Sequence, residues 1–218
     1  MCRLKSGIIL KDRIFVPSHD GHTDMLAELK LEDTHANAET LFVRAELSPA
    51  DSDVFTDPST WVFRVDQDIR PDWFVEEYER ERFVEEVRKW WEAHVFIGKD
   101  DLELSDGNTY YLKDCKRAVL LENATVTARG NSTVTARGNS TVTAWGNSTV
   151  TARGNSTVTA RGNSTCLIEN FCFHGKRENI LVLENSTLKD CSTRTIWQAG
   201  DFKIVVSTDE APKEESGK

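Results

Sequence analysis

Residues 123–162 read NATVTARG NSTVTARG NSTVTAWG NSTVTARG NSTVTARG, five consecutive octads from Asn123 to Gly162. Ala124 replaces Ser in the first and Trp145 replaces Arg in the third. A sixth begins at Asn163-Ser164-Thr165 and drifts into Cys166-Leu167-Ile168. One octad before the array, Lys116-Arg117-Ala118-Val119-Leu120 keeps the same parity. Gly recurs every eight residues and the β-branched residues flank one another at spacing two, which excludes a helix. Along a pleated strand neighbours point to opposite faces, so Ser, Val and Ala share one face and the two Thr share the other. Arg-Gly-Asn is corner chemistry, since Gly and Asn tolerate positive φ. Each octad is one short strand and one corner.

Identical strands stack best in parallel, like on like, with every backbone group bonded to the coil above or below. The expected structure is a parallel β-solenoid. Two octads per coil give a flattened roll of 16 residues, three a triangular coil of 24. Val, Ala and Ser are small and fill only a thin interior, which favours 16. Val126, Val134, Val142, Val150 and Val158 should line it. One octad cannot offset its own ordering entropy of about 8–16 kcal/mol, so the array needs neighbours and capped ends. Beyond Ile168 the apolar residues enlarge: Phe171, Phe173, Ile180, Val182, Leu188, Ile196, Trp197, Phe202, Ile204 and Val206. Asn163–Val206 is read as degenerate coils and a cap.

The outward face is a candidate binding surface. Thr125, Thr133, Thr141, Thr149 and Thr157 take related positions, with Thr127, Thr135, Thr143, Thr151 and Thr159 beside them. In a 16-residue coil alternate octads share a face. Arg129, Arg137, Arg153 and Arg161 sit at the corners with Trp145 among them. Guanidinium rows contact carboxylates or phosphates, and an exposed Trp anchors an interface. Three readings compete for these rows: strand propensity alone, macromolecular binding, and ordering of water in the manner of ice-binding surfaces. Seven Asn-x-Ser/Thr sequons, Asn131 and Asn185 among them, follow from the repeat itself.

Ser132–Ala136, Ser140–Ala144, Ser148–Ala152 and Ser156–Ala160 resemble the strands of bacterial ice-nucleation proteins, whose 16-residue coils also carry Ser-Thr-x-Thr-Ala. The chain further resembles a family of uncharacterised phage and gut-bacterial proteins, in which a small N-terminal domain precedes tandem octads of the type Gly-Ser-Ala-Thr-Val-x-Ala. Cys2–Leu10, Leu41–Ser48 and Val65–Tyr78, with Asp66-Gln67-Asp68 and Pro71-Asp72-Trp73-Phe74, carry that second likeness. It implies a fold and a mobile-element context rather than an activity.

Charge divides the chain. Up to Asp114 there are 26 acidic and 14 basic residues; from Cys115 to Val206 there are 6 and 11. An acidic head and a basic body therefore differ in surface, although the chain as a whole carries −9. The expected division is an α+β head over 1–108, a solenoid over 109–206 and a disordered tail over 207–218. No apolar run reaches membrane-spanning length and no secretory leader is legible, so the expectation is cytoplasmic. Five cysteines, an odd number without a CxxC pair, read as free thiols. A zinc set of Cys166, Cys172, His174 and Cys191 matches no familiar zinc spacing.

In the head, Gly7–Val16 reads as a strand, His22–Leu31 as a helix with Thr23 as N-cap, and Leu41–Leu47 and Trp61–Val65 as strands. A long helix runs from Asp72 to His94, with Phe74, Tyr78, Phe83, Val87, Trp90, Trp91 and Val95 on its packed side and its glutamates outward. His19-Asp20-Gly21-His22-Thr23-Asp24 holds four metal-ligand types in six residues but reads as a polar loop. Asp51/Asp53/Asp57 and Asp66/Asp68/Asp72 lack the Gly and Glu of a calcium loop. Cys2, with His22 or His94 as base, is the nucleophile an enzyme would use. No cofactor or metal is expected. The favoured expectation is a non-enzymatic interaction protein that uses the Thr/Arg solenoid surface or the acidic head to dock on or inhibit a host complex, such as a defence complex. Its partner is a protein, with nucleic acid as the basic body's alternative, and a homodimer through a solenoid end is a further option.

Overall fold

The computed structural model describes residues 5–173, 179–191, 195–198 and 205–206, with side chains over 5–168, 179–191 and 196–197. The chain forms two units that divide between Phe96 and Ile97.

The first unit is an α+β head. Strands β1 (Lys5–Leu10), β2 (Ile14–Phe15), β3 (Phe42–Ser48) and β4 (Val62–Val65) form an antiparallel sheet in the order β2-β1-β3-β4. Helices α1 (His22–Glu28) and α2 (His35–Thr40) cover one face, where Met25, Leu26 and Ala38 pack with Ile8 and Phe42. Helix α3 (Glu76–His94) covers the other. Its Phe83 meets Phe63 edge-on at 5.7 Å and fills the space over Gly7, where a Cβ would stand 2.6 Å from the ring.

Several head expectations change. The expected strand Gly7–Val16 is a hairpin, because Leu10 N–H closes onto the Arg13 carbonyl at 2.8 Å and reverses the chain at Lys11-Asp12. Gly21, not Thr23, is the N-cap of α1. The long helix begins at Glu76 rather than Asp72, since Pro71 to Phe74 forms a turn. Helix α2 was not foreseen; Thr34 caps it by accepting from Asn37 N–H at 3.3 Å. On α3, Tyr78 is exposed and Glu79 is buried instead, its carboxylate held by Arg82 at 2.9 and 3.1 Å. An aromatic ring and a carboxylate exchange places because the latter brings its own counter-ion.

The second unit is a parallel β-solenoid of 16 residues per coil. After β5 (Val95–Ile97) come β6 (Glu103–Leu104), β7 (Thr109–Lys113), β8 (Ala118–Leu120), β9 (Thr125–Arg129) and β10 (Thr133–Ala136). Then follow β11 (Thr141–Ala144), β12 (Thr149–Gly154), β13 (Thr157–Ala160), β14 (Thr165–Phe173), β15 (Ile180–Val182) and β16 (Thr187–Asp190). Alternate strands build opposite sheets: β7-β9-β11-β13-β15 on one side, β6-β8-β10-β12-β14-β16 on the other, all parallel. Val142 pairs with Val126 and Val158, sixteen residues away in each direction, which excludes the 24-residue coil. Parallel pairing reaches back to Asp100, which bridges Lys116, ahead of the expected start at Thr109.

Ser, Val and Ala of the repeat are at most 1% exposed from Ala124 to Ala160, so the interior is closed to water. Its rungs widen toward the ends. Tyr110 continues the Val126–Val142–Val158 row, and Leu188 continues Val134–Val150–Cys166. Beyond β16 the chain leaves the solenoid pattern. Strands β17 (Thr195–Gln198) and β18 (Val205–Val206) add antiparallel to that edge, as a cap does. The expected tail, 207–218, lies outside the described residues.

Candidate binding surface on the solenoid

Register converts the repeat into files. On the first sheet, Thr125, Thr141 and Thr157 form one rank and Thr127, Thr143 and Thr159 the next, extended by Thr109 and Tyr111. On the opposite sheet, Thr133 and Thr149 align with Thr165, and Thr135 lies beside Thr151. The ten repeat threonines therefore split between two faces that cannot meet one partner surface together.

The corners divide in the same way. Lys113 aligns with Arg129, and Trp145 and Arg161 follow at the same 16-residue interval. The Arg161 guanidinium lies over the Trp145 indole, 4.9 Å from its centroid, a cation–π contact across one coil. Arg137 and Arg153 occupy the other corner. So the sequence-predicted set resolves into two groups: Arg129, Trp145 and Arg161 with Lys113, and Arg137 with Arg153.

Each corner is fixed from beneath. The Ser hydroxyls are buried, and those of Ser132, Ser140, Ser148 and Ser164 donate to the carbonyl three residues back: Ser132 to Arg129 at 2.7 Å, Ser140 to Arg137, Ser148 to Trp145 at 2.8 Å and Ser164 to Arg161 at 2.6 Å, whereas the Ser156 hydroxyl is buried without a hydrogen-bond partner. Asn side chains stack into two amide ladders, Asn123–Asn139–Asn155 and Asn131–Asn147–Asn163, with Nδ2 to Oδ1 distances of 3.3–3.4 Å. These ladders were not anticipated from sequence, although Asn recurring every eighth residue was their signal. Carboxylates terminate the Arg129 corner: Asp114 accepts from Asn131 N–H at 2.9 Å, and Glu184 from Gly162 N–H at 2.8 Å.

The polar head loop His19–Asp24 does not converge on a common point. His19 pairs with Glu28 at 2.8 Å and Asp20 with Lys5 at 2.9 Å. Lys5 is wholly buried, also lies 4.8 Å from the Trp90 ring centroid, and is held below the usual ammonium range by burial. His22 turns away from both, into the head. Asp57 caps the 3-10 turn Pro58–Thr60 through Ser59 N–H and meets Arg88, which is structural work. Cys2 lies outside the described residues. So do His174 and the side chain of Cys172, half of the zinc set; Cys166 is an interior rung and Cys191 is exposed.

Burial pushes the Cys166 thiol up to about 12 from 9.0, and raises Cys115 as well. Only a thiolate attacks an alkylating agent. Iodoacetamide at neutral pH should therefore label Cys191 while sparing Cys115 and Cys166 until the chain is unfolded, as read by peptide mass spectrometry. Folded-state labelling of Cys166 at the Cys191 rate would contradict the closed interior. The linked sign is that between pH 9.0 and about 12 the unfolded chain ionises first, so rising pH weakens the fold.

Among the described residues no helix is long and apolar enough to cross a membrane. No family model matches the chain, and no curated protein or solved structure matches it.

Proposed function

We propose that the protein is a non-enzymatic binding protein whose solenoid holds an acidic protein surface along the file Lys113, Arg129, Trp145 and Arg161. The observation that supports this reading is the stacking itself. It aligns three cations and one indole along one corner, about 4.8 Å from coil to coil. Corner backbone tied by buried Ser and stacked Asn leaves little to order on binding, which favours affinity. Arg and Trp are the residues that dominate interface energetics. Nucleic acid fits less well, because the chain carries −9 overall and the file offers few cations. The likeness to phage and gut-bacterial proteins makes a host protein complex the expected target, with docking or inhibition as the outcome.

The test is affinity capture from gut-bacterial lysate with the wild type, an R129A/W145A/R161A variant and an R137A/R153A variant, each checked for fold by circular dichroism. A partner held by the wild type should fall at least about tenfold with the triple variant, since two or more hot spots at ~1.4 kcal/mol or more are lost. It should persist with the double variant. Equal capture by all three sinks the assignment, and selective binding of a labelled oligonucleotide moves it to nucleic acid. A second reading, ordered-water or ice binding, draws on the Thr-x-Thr pairs in register on both sheets. Absence of thermal hysteresis in the wild type removes it.

A further inference from the structure

Three residues far apart in sequence meet in the head. His22 opens α1, Glu46 lies on β3, and Asp66 follows β4. One donor atom from each lies within 4.8 Å of the other two. The His22 ring is only 8% exposed. Its Nε2 stands 3.2 Å from the Ala45 carbonyl oxygen, which can only accept. Nε2 therefore donates, which leaves Nδ1 as the ring atom that turns to the carboxylates and can bind a metal through its lone pair. Nδ1 faces Asp66 Oδ2 at 3.2 Å, with the Glu46 carboxylate beside it. Three metal-ligating groups thus converge on one point.

Among the described residues no Lys or Arg forms an ion pair with Glu46 or Asp66. Arg44 engages its guanidinium with Asp33 through two contacts of 2.9 Å. Arg64, opposite Glu46 across the β3–β4 ladder, forms no ion pair with it among the described residues. Ser6 is the cross-strand neighbour of Glu46 on the β1 side; its hydroxyl is buried and has no hydrogen-bond partner. That orphaned hydroxyl suits a solvent ligand on a metal.

We infer that His22, Glu46 and Asp66 form a binding site for a divalent first-row transition metal, with Zn2+ the best fit. The donor set is one imidazole and two carboxylates, which suits Zn2+ and its neighbours better than the all-oxygen shell of Ca2+. Zinc bonds of about 2.0–2.1 Å place tetrahedral donors about 3.3 Å apart, and the His22–Asp66 pair already stands at 3.2 Å. The Nε2–carbonyl contact is the outer-shell hydrogen bond that orients a metal-binding imidazole. Asp66 is held in place by its N–H on the Arg44 carbonyl at 2.8 Å. The neighbouring Gln67 fixes the same segment: its amide bonds Arg44 N–H and the carbonyls of Ala38, Phe42 and Ile69. A cavity of about 730 Å³ opens beside His22 and Asp66, leaving room for water or a small ligand as the fourth donor.

The test uses the full chain after chelator treatment. Zn2+ is titrated by calorimetry and Co2+ by visible absorption, with wild type, Asp66→Asn, Glu46→Gln and His22→Gln. The expected result is one ion per chain, cobalt d–d bands, and affinity at least about tenfold weaker in each variant. Asp66 is largely exposed, so Asp66→Asn keeps the metal-free melting temperature and separates metal loss from misfolding. No uptake by the wild type overturns the site and leaves a His22–Asp66 side-chain pair. Uptake unchanged in Asp66→Asn and Glu46→Gln overturns it by placing the metal elsewhere.

Discussion

Val142→Asp should abolish the cooperative melting of the solenoid. Val142 is fully buried in the middle of the array, with Val126 on one side and Val158 on the other. The inward polar groups nearest that rung are the Ser140 hydroxyl, engaged with the Arg137 carbonyl, and the buried, unpartnered Ser156 hydroxyl, and neither carries a charge to balance a carboxylate. An unpaired carboxylate there costs several kcal/mol even after relaxation. Total stabilities run to only about 5–15 kcal/mol, and each coil of a solenoid depends on its neighbours. Val142→Ala is the control: it removes two methyl groups and should cost about 2 kcal/mol while keeping a cooperative transition of the solenoid. Urea and thermal melts by circular dichroism read both. A Val142→Asp chain that melts like the wild type would mean the valines do not line a closed interior.

Gly154→Val is expected to be nearly as damaging, for a different reason. Gly154 sits at a corner with φ of +63°, a region that β-branched residues avoid. A Cβ there would also stand 2.8 Å from the Gly138 carbonyl oxygen and 2.9 Å from its nitrogen, one coil below. Both atoms are backbone and can yield only by prising the coils apart. Gly107 shares the positive φ, at +74°, but a Cβ there meets nothing within 4 Å. Gly107→Val should therefore cost only the dihedral strain, about 1–2 kcal/mol. Gly154→Val should cost on the order of 3 kcal/mol or more, since overpacking adds to that strain. Equal losses in the two variants, read from urea melts, would show that coil-to-coil contact at the corner contributes nothing.

Both substitutions fall in the part of the chain that the repeat makes readable. Identical eight-residue units leave almost no freedom: once one strand is placed, register places all the others, and size alone separates a two-sided coil from a triangular one. Arg129 and Arg137 look like members of one row in the sequence, because eight-residue spacing does not say which corner a residue occupies until the coil length is known. Asn123 and Asn139 are legible as corner residues for their backbone tolerance. Their side-chain ladder arises only when sixteen-residue spacing brings the amides into contact.

The head offers no such redundancy. Hydrophobic spacing placed α3 and three strands, but each depended on a single occurrence of its signal. Lys11-Asp12 reverses the chain inside what looks like one strand. Tyr78 and Glu79 exchange roles because Arg82, one turn away, offsets the cost of burying a carboxylate. Asp57 is legible as an acidic loop residue, and its capping of Ser59 requires the fold to be known.

By itself, then, the sequence determined the solenoid, its inward set of Ser, Val and Ala, and the outward placement of Thr. Those follow from strand alternation and stacking, which are local rules repeated many times. Only the tertiary structure decided that Arg129, Trp145 and Arg161 share a corner without Arg137, and that His22 meets Glu46 and Asp66. Convergence of that second kind depends on which strands pair and which helix end they face. Such long-range geometry is set by the packing of the whole head and leaves no periodic trace along the chain.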